Sequence, residues 1–219
     1  MKKNLLILFV VVFMANNIGA NENICTSKIS ADNRDRMLYG LKFGFNYSNV
    51  YDSQGEEFRA DPKLLLVAGG FFAVPIGRYF GIQPEILFSQ KGFQATGKVY
   101  GTPYNFTRTS NYIDVPLLIQ LKPSEYLTLM AGPQFSYLIK QTDVFTNSNI
   151  SNVQQEEFRN NNIRKNVLCF IGGFDIIVDH LVIGLRSGWD VQTNLGDGTS
   201  IIPRYKNVWY QATVGIIFF

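Results

Sequence analysis

From residue 39 onward the chain alternates apolar positions with polar or small ones at a period of two. In segment 39–48, Tyr39, Leu41, Phe43, Phe45 and Tyr47 share one face, and Gly40, Lys42, Gly44, Asn46 and Ser48 share the other. Segment 80–91 sets Phe80, Ile82, Pro84, Ile86 and Phe88 against Gly81, Gln83, Glu85, Leu87, Ser89 and Lys91. Segments 112–122 and 181–192 repeat the arrangement, with Ile113, Val115, Leu117 and Ile119 opposing Asp114 and Gln120, and with Ile183, Leu185 and Trp189 opposing Arg186 and Asp190. Alternation over ten or so residues is the mark of a strand with two unlike faces. Segments 64–75, 126–140, 166–179 and 207–219 alternate less cleanly, and 64–75 is apolar on nearly every position. The pattern therefore predicts eight strands, and helical spacing is absent beyond the first 20 residues.

The connections sharpen the prediction. Links 49–63, 92–106, 141–165 and 193–206 are long and polar, whereas 76–79, 123–125 and 179–180 are short, and the two kinds alternate along the chain. Short turns at one end and long links at the other describe an all-β, eight-stranded antiparallel up-and-down transmembrane β-barrel. An even strand count returns both termini to the short-turn side, which in such barrels is periplasmic.

The first 20 residues read differently. Lys2 and Lys3 precede an uninterrupted apolar run, Leu5 to Met14, followed by Asn16, Asn17, Gly19 and Ala20. A charged start, an apolar stretch about half the roughly 20 residues of a spanning helix, and a small-residue end predict a cleaved signal peptide over 1–20. Residues 21–36 are then a periplasmic segment and 37–219 the barrel domain. No later stretch is apolar for long enough to form a membrane-spanning helix, so an integral membrane role requires a closed barrel.

Composition fits that reading and excludes others. The 219 residues include 18 Phe, 11 Tyr, 2 Trp and 19 Gly, with 17% charged residues, against roughly 25% in an average soluble domain. Setting aside Lys2 and Lys3 leaves 18 basic against 17 acidic residues, a net +1, which carries no nucleic-acid-binding signature. In a soluble barrel the charged face meets water and is dense in Lys and Glu. Here the polar face is rich in glycine, with a sparse, mixed set of charges: Lys42, Glu85, Lys91, Asp114, Arg186 and Asp190. Small residues and paired opposite charges suit the narrow lumen of an eight-stranded barrel, which side chains just fill. These six are expected to form a structural polar cluster inside the barrel. Aromatic residues near strand ends, namely Tyr39, Tyr47, Phe80, Tyr112, Tyr137, Trp189, Trp209 and Tyr210, are expected to form girdles at the membrane interfaces. The C-terminal Phe219 is the residue expected to engage the barrel-insertion machinery.

Candidate chemistry is thin. The single histidine, His180, lies in the shortest turn beside Asp179, with no serine nearby in sequence to form a nucleophilic pair. Cys25, Cys169 and His180 do not make the four-ligand set of a structural zinc site. A disulfide between the two cysteines and two free thiols both remain open. Glu85 and Asp114 share the inward phase of neighbouring strands. They could form an acid–base couple, although neutralisation by Lys42, Lys91 or Arg186 is the expected outcome because buried charges are paired. The acids Asp52, Glu56, Glu57, Asp61, Glu156 and Glu157 lack the spacing of a calcium loop. No catalytic residue, metal or cofactor is expected, and the chain reads as a non-enzymatic protein. The alternatives are a lipid-modifying barrel enzyme and a narrow small-solute channel.

Four stretches carry a family resemblance: Gly40-Leu-Lys-Phe-Gly-Phe-Asn46, Phe80-Gly-Ile-Gln-Pro-Glu-Ile-Leu-Phe-Ser-Gln-Lys-Gly92, Tyr112-Ile-Asp-Val-Pro-Leu-Leu118 and Gly132-Pro-Gln-Phe-Ser-Tyr-Leu138. With them the sequence resembles the PorT-like outer-membrane β-barrel family of Bacteroidetes over nearly its whole length after residue 20. The resemblance implies an integral barrel in the outer membrane of a Gram-negative bacterium. Outer-membrane lipids would surround it, and a secretion-system or other envelope protein would be its partner. A founding member of the family takes part in type IX protein secretion, and no residue in this chain selects that subgroup.

Overall fold

A computed structural model of the protein describes residues 32–54, 59–99, 102–146, 164–194 and 204–218. The leader, Cys25, Glu56, Glu57, Glu156, Glu157, Phe219 and the side chain of Asp52 lie outside the described residues. Eight strands follow one another: β1 (Leu38–Gln54), β2 (Arg59–Pro75), β3 (Phe80–Val99), β4 (Thr102–Leu121), β5 (Leu127–Thr146), β6 (Asn166–Val178), β7 (Leu181–Asp190) and β8 (Arg204–Phe218). Each pairs antiparallel with its sequence neighbours, and β1 pairs with β8, closing the barrel with no free edge. Closure is what lets a sheet sit in hydrocarbon, because every ladder group then has a partner.

The barrel is apolar outside and polar inside. Leu41, Phe43, Phe45, Ile86, Leu117, Ile119, Phe135 and Ile183 are exposed on its exterior. Lys42, Glu85, Lys91, Asp114, Gln134, Arg186, Asp190 and Gln211 are buried within it. This inversion of the soluble pattern is the physical signature of a chain whose solvent is lipid.

Three short turns, at 76–79, 122–126 and 179–180, define one end. At the tightest of them Asp179 takes a left-handed φ of 51°, a conformation that Asp tolerates better than most residues. The opposite end departs from the sequence reading: much of links 49–63 and 92–106 is strand, since β1 runs to Gln54, β2 begins at Arg59, and only 100–101 separate β3 from β4. The predicted β2 and β5 stop short because a β-bulge reverses the alternation on each, whereas β3 and β4 keep their phase and turn apolar inward, at Phe93, Ala95 and Phe106, and polar outward. Register shifts between Pro62 and Val67 on β2, and between Asn111 and Tyr112 where β4 meets β5. On β5 the inward residues are Gln134, Ser136 and Leu138 before the shift, and Gln141 and Asp143 after it. One extra residue exchanges the faces of everything beyond it.

Residues preceding β1 lie against the short-turn end. A single 3-10 turn, Asn33–Asp35, is held by an ion pair between Arg34 and Asp32 at 2.6 Å. Arg78, in the first short turn, also binds Asp32 at 3.0 Å, and Lys122 donates to the Arg34 carbonyl at 3.1 Å. The Arg34 guanidinium stacks over the Tyr79 ring. Part of segment 21–36 is thus a strap across the rim, with Leu38, Phe71, Ala73, Val182 and Ile217 packed as an apolar floor beside it.

Candidate functional site in the barrel lumen

Inward side chains meet at three levels, and each meeting crosses the barrel axis. At the first, Lys42 of β1 donates to Glu85 Oε1 of β3 at 2.6 Å, and Arg186 of β7 donates to Glu85 Oε2 at 2.8 Å. β3 and β7 face each other across the eight-stranded ring, so Glu85–Arg186 is a strut from wall to wall. Arg186 also holds Asp175 of β6 at 3.1 Å, and Gln83 donates to Glu85 Oε1. Two cations and two carboxylates make this cluster electrically neutral.

At the second level Lys91 of β3 pairs with Asp114 of β4 at 3.2 Å and donates to Ser136 Oγ of β5 at 3.0 Å. Its ammonium lies 3.8 Å from the centre of the Trp209 ring on β8 and 4.9 Å from that of Tyr112. Such placement of a cation on aromatic faces is attractive, and more so where water is excluded. Trp209 can lie flat in the lumen because the facing residue on β7 is Gly188, where a Cβ would overlap the indole ring. Asp190 accepts from the backbone N and Nδ2 of Asn207 and from Cys169 Sγ, the last at 3.1 Å. Cys169 is a free, buried thiol.

The third level is nearer the end opposite the short turns. Arg108 of β4 makes a two-pronged pair with Asp143 of β5, each contact 2.8 Å, and donates to the Tyr205 hydroxyl of β8 at 2.9 Å. Phe93, Ala95, Phe106 and Tyr205 pack around it as an apolar cap. β4 and β8 also face each other across the ring, so this is a second wall-to-wall strut.

All six residues read from sequence as a lumen cluster are buried. They do not form one group. Lys42, Glu85 and Arg186 share the first level and Lys91 and Asp114 the second, while Asp190 is held by Asn207 and Cys169. Sequence reasoning missed Asp175, Arg108 and Asp143, which supply the remaining charges of the struts. Asp143 lies beyond the β5 bulge in the stretch read as link 141–165, and Arg108 lies between link 92–106 and the predicted strand 112–122. Of the eight aromatics assigned to the membrane interfaces, Tyr39, Tyr47, Phe80, Tyr137, Trp189 and Tyr210 are exposed on the exterior. Tyr112 and Trp209 are not: they are 6% and 0% exposed and belong to the lumen. Tyr112 is in phase with Asp114, and Trp209 precedes the outward Tyr210, so strand parity turns both inward.

His180 lies in the tightest turn with Nδ1 3.2 Å from the Ile217 carbonyl oxygen, on the rim and away from the struts. Among the described residues no group of three His, Cys, Asp or Glu side chains is placed to hold a metal ion.

The attachment invasion locus protein Ail of Yersinia pestis is similar at 13% identity, with 83% of this chain and 98% of that chain covered and a TM-score of 0.42. OprG of Pseudomonas aeruginosa is similar at 13% identity, with coverage of 83% and 95% and a TM-score of 0.41. The outer membrane protease OmpT from Escherichia coli is similar at 7% identity, with coverage of 91% and 99% and a TM-score of 0.40. No curated protein matches the sequence. The family model for the outer membrane protein beta-barrel domain matches residues 28–190, a span that holds β1 to β7 and the Glu85–Arg186 strut. With that match, a closed antiparallel ring and an apolar exterior, the chain belongs to the outer membrane protein beta-barrel domain family and is an integral protein of the Gram-negative outer membrane.

Proposed function

We propose that this barrel is a non-enzymatic, non-conducting outer-membrane protein that works through its rims as a structural, binding or secretion-associated component, in the manner of PorT-like barrels. The supporting observation is the set of struts across the axis. Glu85–Arg186 and Arg108–Tyr205 join opposite walls at separate levels, with Lys91 and Trp209 between them. A lumen tied in this way is a core, and it leaves recognition to the ends. Both termini are assigned to the periplasm: β1 begins and β8 ends beside each other, Tyr39 opposite Phe218, at the short-turn end where the strap also packs.

The test is conductance in planar bilayers after verified insertion, together with the secreted protein profile of a deletion strain. A flat trace with a secretion or envelope-assembly defect is expected. Steady single-channel steps would refute the closed lumen, and altered lipid acylation in the deletion strain would favour the enzyme alternative. Orientation is checked separately with a membrane-impermeant maleimide on intact cells: Asp35→Cys should stay unlabelled while Gln94→Cys and Thr142→Cys react.

A further inference from the structure

The exterior changes character abruptly on one sector. Across β2 to β5, Leu64, Leu66, Phe88, Ile113 and Ile139 belong to the apolar surface. One step farther from the short turns the outward positions become Lys63, Gln90, Thr109, Asn111 and Lys140. They are already organised. Lys63 on β2 donates to Thr109 Oγ1 on β4 at 2.7 Å, spanning β3 at the level of Gly92, the register partner of Thr109, which has no side chain to obstruct it. Gln90 donates to Asn111 Oδ1 at 3.1 Å, and Asn111 is the register partner of Lys140. Thr109 and Asn111 sit two residues apart on one face, about 7 Å, so the ammonium groups of Lys63 and Lys140 are carried toward the two ends of a short polar row. Among the described residues neither lysine is paired with a carboxylate, and the nearby Asp61 lies farther out, in register with Gln94.

From this arrangement we infer a site for the phosphorylated headgroup of a membrane lipid. Two cations flanking hydroxyl and amide donors make an anion site, and its position names the source of the anion. A phosphate bound there must have its acyl chains alongside Leu66, Phe88 and Ile139, which is where the chains of a lipid in that leaflet lie. Lysines just beyond the hydrocarbon layer can lay their stems on apolar surface and extend their ammonium groups toward headgroups. The orientation proposed above makes this the outer leaflet; the phosphate chemistry holds whichever leaflet it is.

The test uses the full chain folded in detergent micelles, where orientation plays no part, and native mass spectrometry with bisphosphorylated lipid A as probe. The wild type should retain one lipid A molecule and should not retain dephosphorylated lipid A with the same acyl chains. A charge near a lipid surface contributes an attraction that corresponds to about fivefold in occupancy per lysine, so Lys63→Gln/Lys140→Gln should lower retention by about 25-fold. Arg36→Gln/Lys206→Gln, which removes as much charge elsewhere, should retain lipid A like the wild type, and so should Lys63→Arg/Lys140→Arg. Equal retention of the dephosphorylated lipid, or equal loss in both glutamine doubles, would overturn the site. Displacement of lipid A by equimolar inorganic phosphate would overturn the assignment to a lipid. If the glutamine double fails to fold, single Lys140→Glu at an exposed position serves instead, with loss expected and wild-type retention overturning the proposal.

Discussion

Removing the charge of Glu85 while keeping its shape tests the first strut directly. In Glu85→Gln one carboxylate oxygen becomes an amide donor. It must then face either Lys42 and Gln83, which donate to Oε1, or Arg186, which donates to Oε2. The cluster changes from two cations and two carboxylates to two cations and Asp175 alone, leaving one positive charge buried and uncompensated. Breaking a buried pair from one side costs about 3–5 kcal/mol. With a urea dependence of about 1–3 kcal/mol per molar, the unfolding midpoint in phospholipid vesicles, followed by tryptophan fluorescence, should fall by at least about 1 M.

The decisive variant is the double. Lys42→Met in the Glu85→Gln background removes the surplus charge and leaves Arg186 with Asp175. Lys42 Nζ lies 5.1 Å from the centre of the Phe71 ring, so a thioether placed there gains a favourable sulfur–aromatic contact. The double variant should recover most of the loss and lie within about 1.5 kcal/mol of the wild type, as replacing a buried ion pair by well-packed groups is often close to neutral. Were the double no more stable than Glu85→Gln alone, charge balance would not be what holds this level together, and the reasoning would fail.

Three further outcomes follow from the same structure. Trp189 is on the exterior and Trp209 is fully buried, so brominated acyl chains should quench the wild type and Trp209→Phe but scarcely Trp189→Phe; the reverse pattern would mean the faces are assigned backwards. Gly188→Val pushes a branched side chain into the Trp209 indole and should cost about 1–3 kcal/mol by overpacking, measured as a lower urea midpoint; an unchanged midpoint would place the indole elsewhere. The Arg34 guanidinium, followed by Arg78, holds the Asp32 carboxyl below the usual carboxylate range, so strap docking is complete above an unfolded value near 3.9 and is lost only as pH falls through the lower folded value. A spin label at Asp35→Cys, in a Cys25→Ser/Cys169→Ser background, should therefore gain mobility only well below pH ~4, whereas with Asp32→Asn it should be mobile at neutral pH.

How far the sequence reveals this molecule depends on which physical rule sets each feature. Faces follow from period-two alternation, which any strand lining a narrow barrel must carry, and the turn end follows from links of two to five residues that admit few conformations. The opposite end is less legible because bulges swap the faces on β2 and β5, and because β3 and β4, in unbroken phase, turn apolar inward at Phe93, Ala95 and Phe106. Asp175 is hidden for a related reason: its inward neighbours on β6 are Val167, Cys169 and Ile171, so that strand looks apolar on both sides. Tyr112 and Trp209 show that phase outranks residue type, since an aromatic near a strand end faces lipid only if its parity is outward. Pairings across the axis are out of reach of the pattern altogether. Hydropathy says that Glu85 and Arg186 both point inward, but the stagger of the closed ring decides that they meet.

The struts also explain why the lumen is ionic when leucines would fill it as well. A buried ion pair contributes little net stability over an apolar core, so stability alone does not account for Lys42, Glu85, Arg186, Asp175, Lys91 and Asp114. What such residues do impose is a penalty on error. If β3 slipped by one residue against its neighbours, its faces would exchange, and Gln83, Glu85 and Lys91 would enter the hydrocarbon while Ile82, Ile86 and Phe88 crowded the axis. An outward Lys or Arg at the bilayer midplane costs about 2–4 kcal/mol, and its abandoned partner remains buried and unpaired. A leucine-filled lumen would carry no such penalty, because the inward and outward faces would be interchangeable. The charges therefore set the register of the barrel, and with it the outward face of Gln90, Thr109 and Asn111, while the bulges on β2 and β5 bring Lys63 and Lys140 to the same side of the wall.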